Sequence, residues 1–369
     1  MICGKPLTLR GNSGTSKRCT VGVWNNKRIF LTGHTGFKGG WLSVWLHSLG
    51  ANVTGFSLPA LSPSFYQAAG LAGRHSETFA NVRDLEAVKN SMTAADPEVI
   101  IHMAAQPLVR ASYADPIETY GTNVMGTANV LEAARSCRNL QAALVVTTDK
   151  VYRNDENPDG YREEDPLGGD DPYSASKACA EFVSASYRAS FFSEAGSPLV
   201  ATARSGNVIG GGEWGEDRLV PDMVRALAAN EPVQIRAPNS VRPWQHVLDP
   251  LWGYLQLTEQ LMAGNKARVG SWNFGPKPSD FQSVAALAEK FADHWGPGAS
   301  WQSDDGPHPK ETKILSLNPS KAMAELAWSP QLGLDDSVQM TVEWYKQHQA
   351  GADGLSLSLN QIGRYSKWL

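Results

Sequence analysis

The stretch RIFLTGHTGFKGGWLSVWLHSL, Arg28 to Leu49, decides the fold. Arg28 to Thr32 is a short apolar run that reads as a strand, and Gly39 to Leu49 repeats apolar residues at helical spacing. Between them Gly33, Gly36 and Gly39 form a GxxGxxG loop. Glycines let the chain turn tightly and let backbone N–H groups close on a pyrophosphate, whose charge the next helix N-terminus favours. A glycine triplet alone is weak, but between a strand and a helix it predicts a dinucleotide cradle, with Thr35 and Phe37 as further contacts. Lys38 could reach a phosphate or stay solvated. Trp41, Leu42, Trp45 and Leu46 read as core.

Working outward, Asn52 to Ser57, Val99 to Met103, Ala143 to Thr147 and Val200 to Ser205 read as strands, separated by helical patterns such as Asn123 to Ala134. Several runs are apolar on both faces, as a covered parallel sheet requires. The fold class is α/β, a Rossmann-type doubly wound parallel sheet with ligands outside the carboxyl ends of its strands. After Asn207 the rhythm loosens into helices near 221–230, 284–294 and 334–348 and a strand near 233–236. The expected division is an N-terminal extension over 1–24, flexible; a dinucleotide-binding Rossmann domain over 25–206 plus 239–275; and a smaller α/β substrate lobe over 207–238 plus 276–369. Ser271 to Phe274 is expected to return to the large sheet.

With 369 residues, 42% hydrophobic and 19% charged, the chain is neither disordered nor low in complexity. A net charge of −4 offers no electrostatic argument for nucleic acid or an anionic membrane, so a small molecule is the default partner. Cys3, Cys19, Cys137 and Cys179 form no CxxC pair, and no two histidines stand three to five residues apart. Neither a disulfide framework nor a metal site is therefore encoded locally. No apolar run approaches the ~18 residues of a membrane span, and no signal-peptide core opens the chain. A reduced, soluble, cytoplasmic protein is expected. Met1 to Trp24 is basic (Lys5, Arg10, Lys17, Arg18) and carries no acid; a transit peptide, an unstructured extension and an upstream start codon all fit. The carboxylate that often binds ribose about 20 residues beyond the loop is missing, because the second strand ends Phe56-Ser57-Leu58-Pro59 and the first acidic residue is Glu77. No Arg or Lys lies between Lys38 and Arg74 to meet a 2′-phosphate, so NAD and NADP are not separated on these grounds.

Tyr173 and Lys177 stand at i and i+4, one turn apart on a helix whose start Asp171-Pro172 marks as N-cap and first position. A nearby ammonium favours a phenolate, which makes Tyr173 a candidate base toward a sugar or alcohol hydroxyl. Just past the strand ending at Thr147 comes Thr148-Asp149-Lys150-Val151-Tyr152. Thr148 can bond the same hydroxyl as Tyr173, and Asp149 with Lys150 makes a second acid/base pair where a polar turn would otherwise be the bland reading.

These residues resemble the extended short-chain dehydrogenase/reductase family, and within it the nucleotide-sugar 4,6-dehydratases, on the branch that uses CDP-glucose. The resemblance runs from about Trp24 to the C-terminus through TGHTGFKGGWL, HMAAQPLVR, TTDKVY, DPYSASK, RSGNVIGGGEW, RPWQHV and WNFGP. It implies NAD as cofactor, a nucleotide sugar as substrate, deoxysugar biosynthesis as context, and a homodimer or homotetramer built through two helices per subunit, one bearing Tyr173. It implies that Tyr173, aided by Thr148 and Lys177, takes the O4 proton, that Asp149 protonates the leaving 6-hydroxyl and that Lys150 removes the C5 proton. A lysine base must be neutral, which calls for burial and for a cation such as Lys177 beside it. Asn81 and Val82 match the adenine-contacting position; Ala104, Ala105, Gln106, Asn123 and Thr147 match segments near the nicotinamide half; Asn207, Arg242, Asn273 and His308 are candidate substrate contacts. A UDP-N-acetylglucosamine 4,6-dehydratase is the alternative within the class, a 4-epimerase leaves Asp149 and Lys150 without a step, and a silent dinucleotide-sensing scaffold is the alternative outside it.

Overall fold

The computed structural model describes residues 21–304, 306 and 315–369. Most of the expected N-terminal extension, and His308, lie outside them. Six strands, Arg28–Thr32 (β1), Asn52–Ser57 (β2), Ser76–Phe79 (β3), Val99–His102 (β4), Ala142–Val146 (β5) and Leu199–Ser205 (β6), join the strand Gly270–Phe274 in one parallel sheet. Its order is Gly270–Phe274, β6, β5, β4, β1, β2, β3. The chain leaves β1 toward β2 and β3, then returns to place β4 on the other side of β1. The switch point therefore opens a crevice at the carboxyl ends of β1 and β4.

Strands β4, β5 and β6 are buried along their whole length because helices cover both faces of the sheet. Phe30, Phe56, Ile100, Val130 and Leu131 fill one side; Ile29, Leu31, Ile101, Trp41 and Trp45 belong to the larger core on the other. The sequence reading has no counterpart for β3. Its four residues, Ser-Glu-Thr-Phe, are edge residues without an apolar run, and pairing with β2 is what makes them a strand. The described structure takes in the end of the expected extension: Val21–Trp24 is a helical turn, and Trp24 is fully buried with its Nε1 donating to Glu259 Oε1 at 2.6 Å. Trp272 and Trp244 are core residues whose indoles donate to main-chain carbonyls.

The Pro172–Phe191 helix begins as its sequence demands, with Asp171 accepting from Ser174 N at 2.9 Å and Pro172 in the first turn. Farther along, it is tied to the sheet by a buried ion pair. Glu181 accepts Arg204 Nε at 2.9 Å and Arg204 Nη2 at 3.0 Å, and also hydroxyls of Thr147 just past β5, Thr202 of β6 and Ser271 of the edge strand. Removing one partner of such a pair strands the other charge. Glu181→Ala is expected to cost about 3–5 kcal/mol, read as a lower urea midpoint, while an exposed control such as Glu194→Ala stays within about 0.5 kcal/mol.

Candidate active site

At the carboxyl end of β1 the chain turns through Gly33, whose φ of +78° and distance to Ala104 leave no room for a side chain: a Cβ there would lie 2.7 Å from Ala104 N. Gly39 is tighter still, since its Cβ would meet the Gly33 carbonyl. The Phe37–Ser48 helix follows with Gly36 as N-cap and no side-chain cap, so its first N–H groups face the loop for an anion to claim. This cradle fits a dinucleotide pyrophosphate. Thr35 turns its hydroxyl to Ser57 Oγ at 2.7 Å and to the Leu58 carbonyl at 3.0 Å, at the end of β2 where a ribose-binding acid often stands.

Across the crevice, Thr32 Oγ1 accepts the N–H groups of Met103 and Ala104, which fixes the chain after β4. Asn123 then clamps the main chain of Gln106 from both sides, accepting its N–H at 2.8 Å and donating to its carbonyl at 3.1 Å, and also donates to Ser176 Oγ. The Ala104-Ala105-Gln106 segment is thereby joined to the helix that carries Tyr173. Asn81 accepts from Arg83 N, and Val82 packs into the core with its carbonyl on Asn129.

The acid/base residues come together after β5. Thr148 caps a short turn of 3-10 helix, Asp149–Val151; its Oγ1 donates to Asp149 Oδ1 at 3.0 Å, and its hydroxyl is close enough to Tyr173 to influence the phenol. Asp149 is buried, and among the described residues its second oxygen, Oδ2, has no hydrogen-bond partner. Burial pushes this carboxyl above its usual range against the pull of Lys150, Thr148 and Arg242. Gly206 leaves the space beside that oxygen, for a Cβ there would lie 2.9 Å from Oδ2 and closer still to Pro243. Burial also raises the Tyr173 phenol; the opposing influences are Thr148 and then Arg218, whereas the expected helper, Lys177, donates its ammonium to the Val146 carbonyl at 3.0 Å. Lys150 is only half-buried.

The cation packed into this group is one whose role the sequence left open. Lys38 sends its ammonium to Ser205 Oγ at 2.8 Å and Tyr254 OH at 3.0 Å. Burial pulls it down to about 7 against the attraction of Asp149. Burial and the charge of Lys38 pull Lys177 down to about 8. Arg218 and Glu213, 3.7 Å apart, also act on this cluster. Of the substrate candidates, Arg242 is buried near Asp149, and Asn207 directly follows Gly206, which borders Asp149, with its carbonyl on Gln245 N. Asn273 stands apart. It is fully buried, with its amide spent on Tyr152, the Tyr161 carbonyl and the Asn318 carbonyl. Thr147 likewise gives its hydroxyl to Glu181. Lys38, Gly206 and Arg218 were missed as site residues; only the presence of Lys38 inside the glycine loop and of Gly206 beside Asn207 hinted at them.

A family model described as GDP-mannose 4,6 dehydratase matches residues 30–341. The CDP-glucose 4,6-dehydratase of Salmonella typhimurium (strain LT2) is 45% identical over 347 residues, covering 93% of this chain and 97% of that protein. A probable dTDP-glucose 4,6-dehydratase of Sinorhizobium fredii is 26% identical over 335 residues, 87% of this chain and 93% of that protein. Among solved structures, the dTDP-glucose 4,6-dehydratase DesIV from Streptomyces venezuelae, with NAD and TYD bound, matches in fold with a TM-score of 0.71 at 23% identity, covering 89% of this chain and 99% of that one.

The coupling of the two lysines gives a prediction with a defined sign. Lys38 holds Lys177 down, so Lys38→Met is expected to raise the Lys177 pKa above about 8. If the Lys177 ammonium supports turnover, the alkaline limb of the pH–rate profile then moves to higher pH; an unmoved limb contradicts the coupling.

Proposed function

Because the chain belongs to the GDP-mannose 4,6-dehydratase family of nucleotide-sugar dehydratases, we propose that it converts CDP-glucose to CDP-4-dehydro-6-deoxyglucose and water with NAD as its cofactor. The observation that carries the reading is Asp149. A buried carboxyl with one oxygen held by Thr148, the other free of a partner among the described residues, and its pKa raised by burial is a proton donor waiting for an acceptor. An epimerase has no step for it. Loss of a hydroxyl does.

NAD, when bound, supplies reversible hydride storage. Gly33, Thr35, Gly36, Phe37 and Gly39 would hold its phosphates and adjoining ribose, Asn81 and Val82 its adenine, and Ala104, Ala105, Gln106 and Asn123 its nicotinamide half. Tyr173 takes the O4 proton as its phenolate, whose charge the Lys177 ammonium one helical turn away offsets, with Thr148 beside it. With C4 a ketone, the C5 proton is acidified. Lys150 removes it and Asp149 protonates the departing 6-hydroxyl. Arg242 suits the diphosphate through its fork of donors, and Asn207 is a further substrate contact. The CDP-sugar assignment rests on TGHTGFKGGWL and RPWQHV and on the Salmonella relative.

The same reading includes the chain's division into a dinucleotide domain and a substrate lobe, and a homodimer or homotetramer. Tyr113, Ile117 and Met125 are exposed on or beside the helices Val109–Ala114 and Pro116–Tyr120, and Phe182 is exposed on the Tyr173 helix against which those helices pack. Large apolar side chains gathered so close together suit a self-complementary interface. Cys137 and Cys179 are unpaired thiols, and among the described residues no helix is long and apolar enough to cross a membrane; both accord with work in the cytoplasm.

Fed CDP-glucose deuterated at C4 is expected to yield product labelled in its new C6 methyl group, by mass spectrometry and NMR; label lost to solvent, or turnover only of UDP-N-acetylglucosamine, contradicts the proposal. Asp149→Asn is expected to lower turnover by about 10²- to 10⁴-fold, the usual worth of a positioned acid, while Lys150→Ala abolishes C5 exchange with deuterated solvent. Ile117→Asp combined with Phe182→Asp is expected to halve the assembly's mass in analytical ultracentrifugation, dimer to monomer or tetramer to dimer.

A further inference from the structure

His34, His75 and Glu77 share no local spacing, yet the fold brings one ligand atom from each within 4.8 Å of the others. Their meeting follows from strand register. Gly55 in β2 pairs with Glu77 in β3, so the two residues present to the same face of the sheet. The ring of His34, the second residue of the glycine loop, occupies the place a side chain on residue 55 would need, for a Cβ on Gly55 would sit 2.6 Å from its Nδ1. Glycine at 55 is thus what admits an imidazole beside Glu77.

His34 is fully buried, and neither of its ring nitrogens has a hydrogen-bond partner among the described residues. The His75 side chain is fully shielded as well; its Nε2 makes no hydrogen bond and lies 3.4 Å from Glu77 Oε1. A buried imidazole with both nitrogens idle is costly unless something takes a lone pair. We propose that His34, His75 and Glu77 bind a divalent transition-metal ion of the zinc class. Two imidazoles and a carboxylate suit Zn²⁺ and its neighbours in the first row, whereas Mg²⁺ and Ca²⁺ prefer oxygen alone.

The surrounding groups are placed to orient those ligands. Tyr66 OH donates to both oxygens of Glu77, at 2.9 and 2.7 Å, and His47 Nε2 lies 3.3 Å from His75 Nδ1 on the side facing away from the carboxylate. Such outer partners set the tautomer and direction of a ligand. Both rings are shielded from water, which disfavours the imidazolium and leaves lone pairs for an ion. The ion would clasp the short edge strand β3 to the glycine loop, with the Phe37–Ser48 and Phe65–Ala68 helices supplying His47 and Tyr66 around it. No member of the acid/base group takes part.

The test uses the full chain after chelator treatment and dialysis. Calorimetric titration with Zn²⁺ is expected to show a single saturable site that Mg²⁺ does not fill. His75→Ala and Glu77→Gln are expected to weaken it at least about 100-fold, and His47→Ala about 10- to 100-fold, the usual cost of losing an outer partner. In the unmodified chain, Co²⁺ is expected to give the intense visible absorption of a low-coordinate site with nitrogen ligands, displaced by Zn²⁺. This measurement decides alone should a variant fail to fold. No saturable Zn²⁺ binding, only the weak spectrum of hydrated Co²⁺, or affinity unchanged in both ligand variants overturns the assignment.

Discussion

The acid/base group depends on one buried ion pair. Taking Glu181 and Arg204 out of water is expensive, and the cost is met only when every oxygen and N–H of the pair finds a partner in good geometry. Here the carboxylate collects the guanidinium fork and three hydroxyls, two from strands and one from just past β5, while Arg204 Nη1 reaches Tyr152 OH at 2.6 Å. The pair therefore acts on both halves of the site at once. Tyr173, Lys177 and Glu181 are spaced by four on one helix, so fixing Glu181 against the sheet fixes the face that carries the phenol and the ammonium. Tyr152 ends the segment that begins with Thr148, so Arg204 also holds the Asp149 turn.

Burial then sets the protonation of what that framework presents. It raises Asp149 and Tyr173 and lowers Lys38 and Lys177, so that in every case burial favours the uncharged form. Groups balanced in this way can exchange protons with a neutral sugar without first giving up a strong charge. Thr148, bonded to Asp149, sits between it and Tyr173 and favours the phenolate. The desolvation that is a burden to stability is the same effect that makes these side chains useful, and such burdens are characteristic of functional sites.

Much of this was legible from residues near one another in the chain. β1 and β2 have the limits their apolar runs suggest, Asp171 and Pro172 start the Tyr173 helix, and the glycine loop links strand to helix as its pattern implies. Where the reading fell short, the cause was distance along the chain. β3 has no pattern of its own and exists through β2. Lys38 meets Ser205 across a separation of 167 residues, and Asn273 is drawn 121 residues away to Tyr152 and so is spent on the scaffold. Trp24 joins the fold by reaching Glu259, 235 residues on.

The amino-acid order by itself determined the dinucleotide cradle, the capped helix with its Tyr173–Lys177 pair, and the Thr148-Asp149-Lys150 turn, because each is made by contacts within a turn or two of backbone. Tertiary structure alone decided that Lys38 and Gly206 border Asp149, that Glu181 anchors the Tyr173 helix, and that His34, His75 and Glu77 converge beside Gly55. Those meetings depend on strand order, register and the cost of burying charge, which belong to the packed chain and to no short stretch of it.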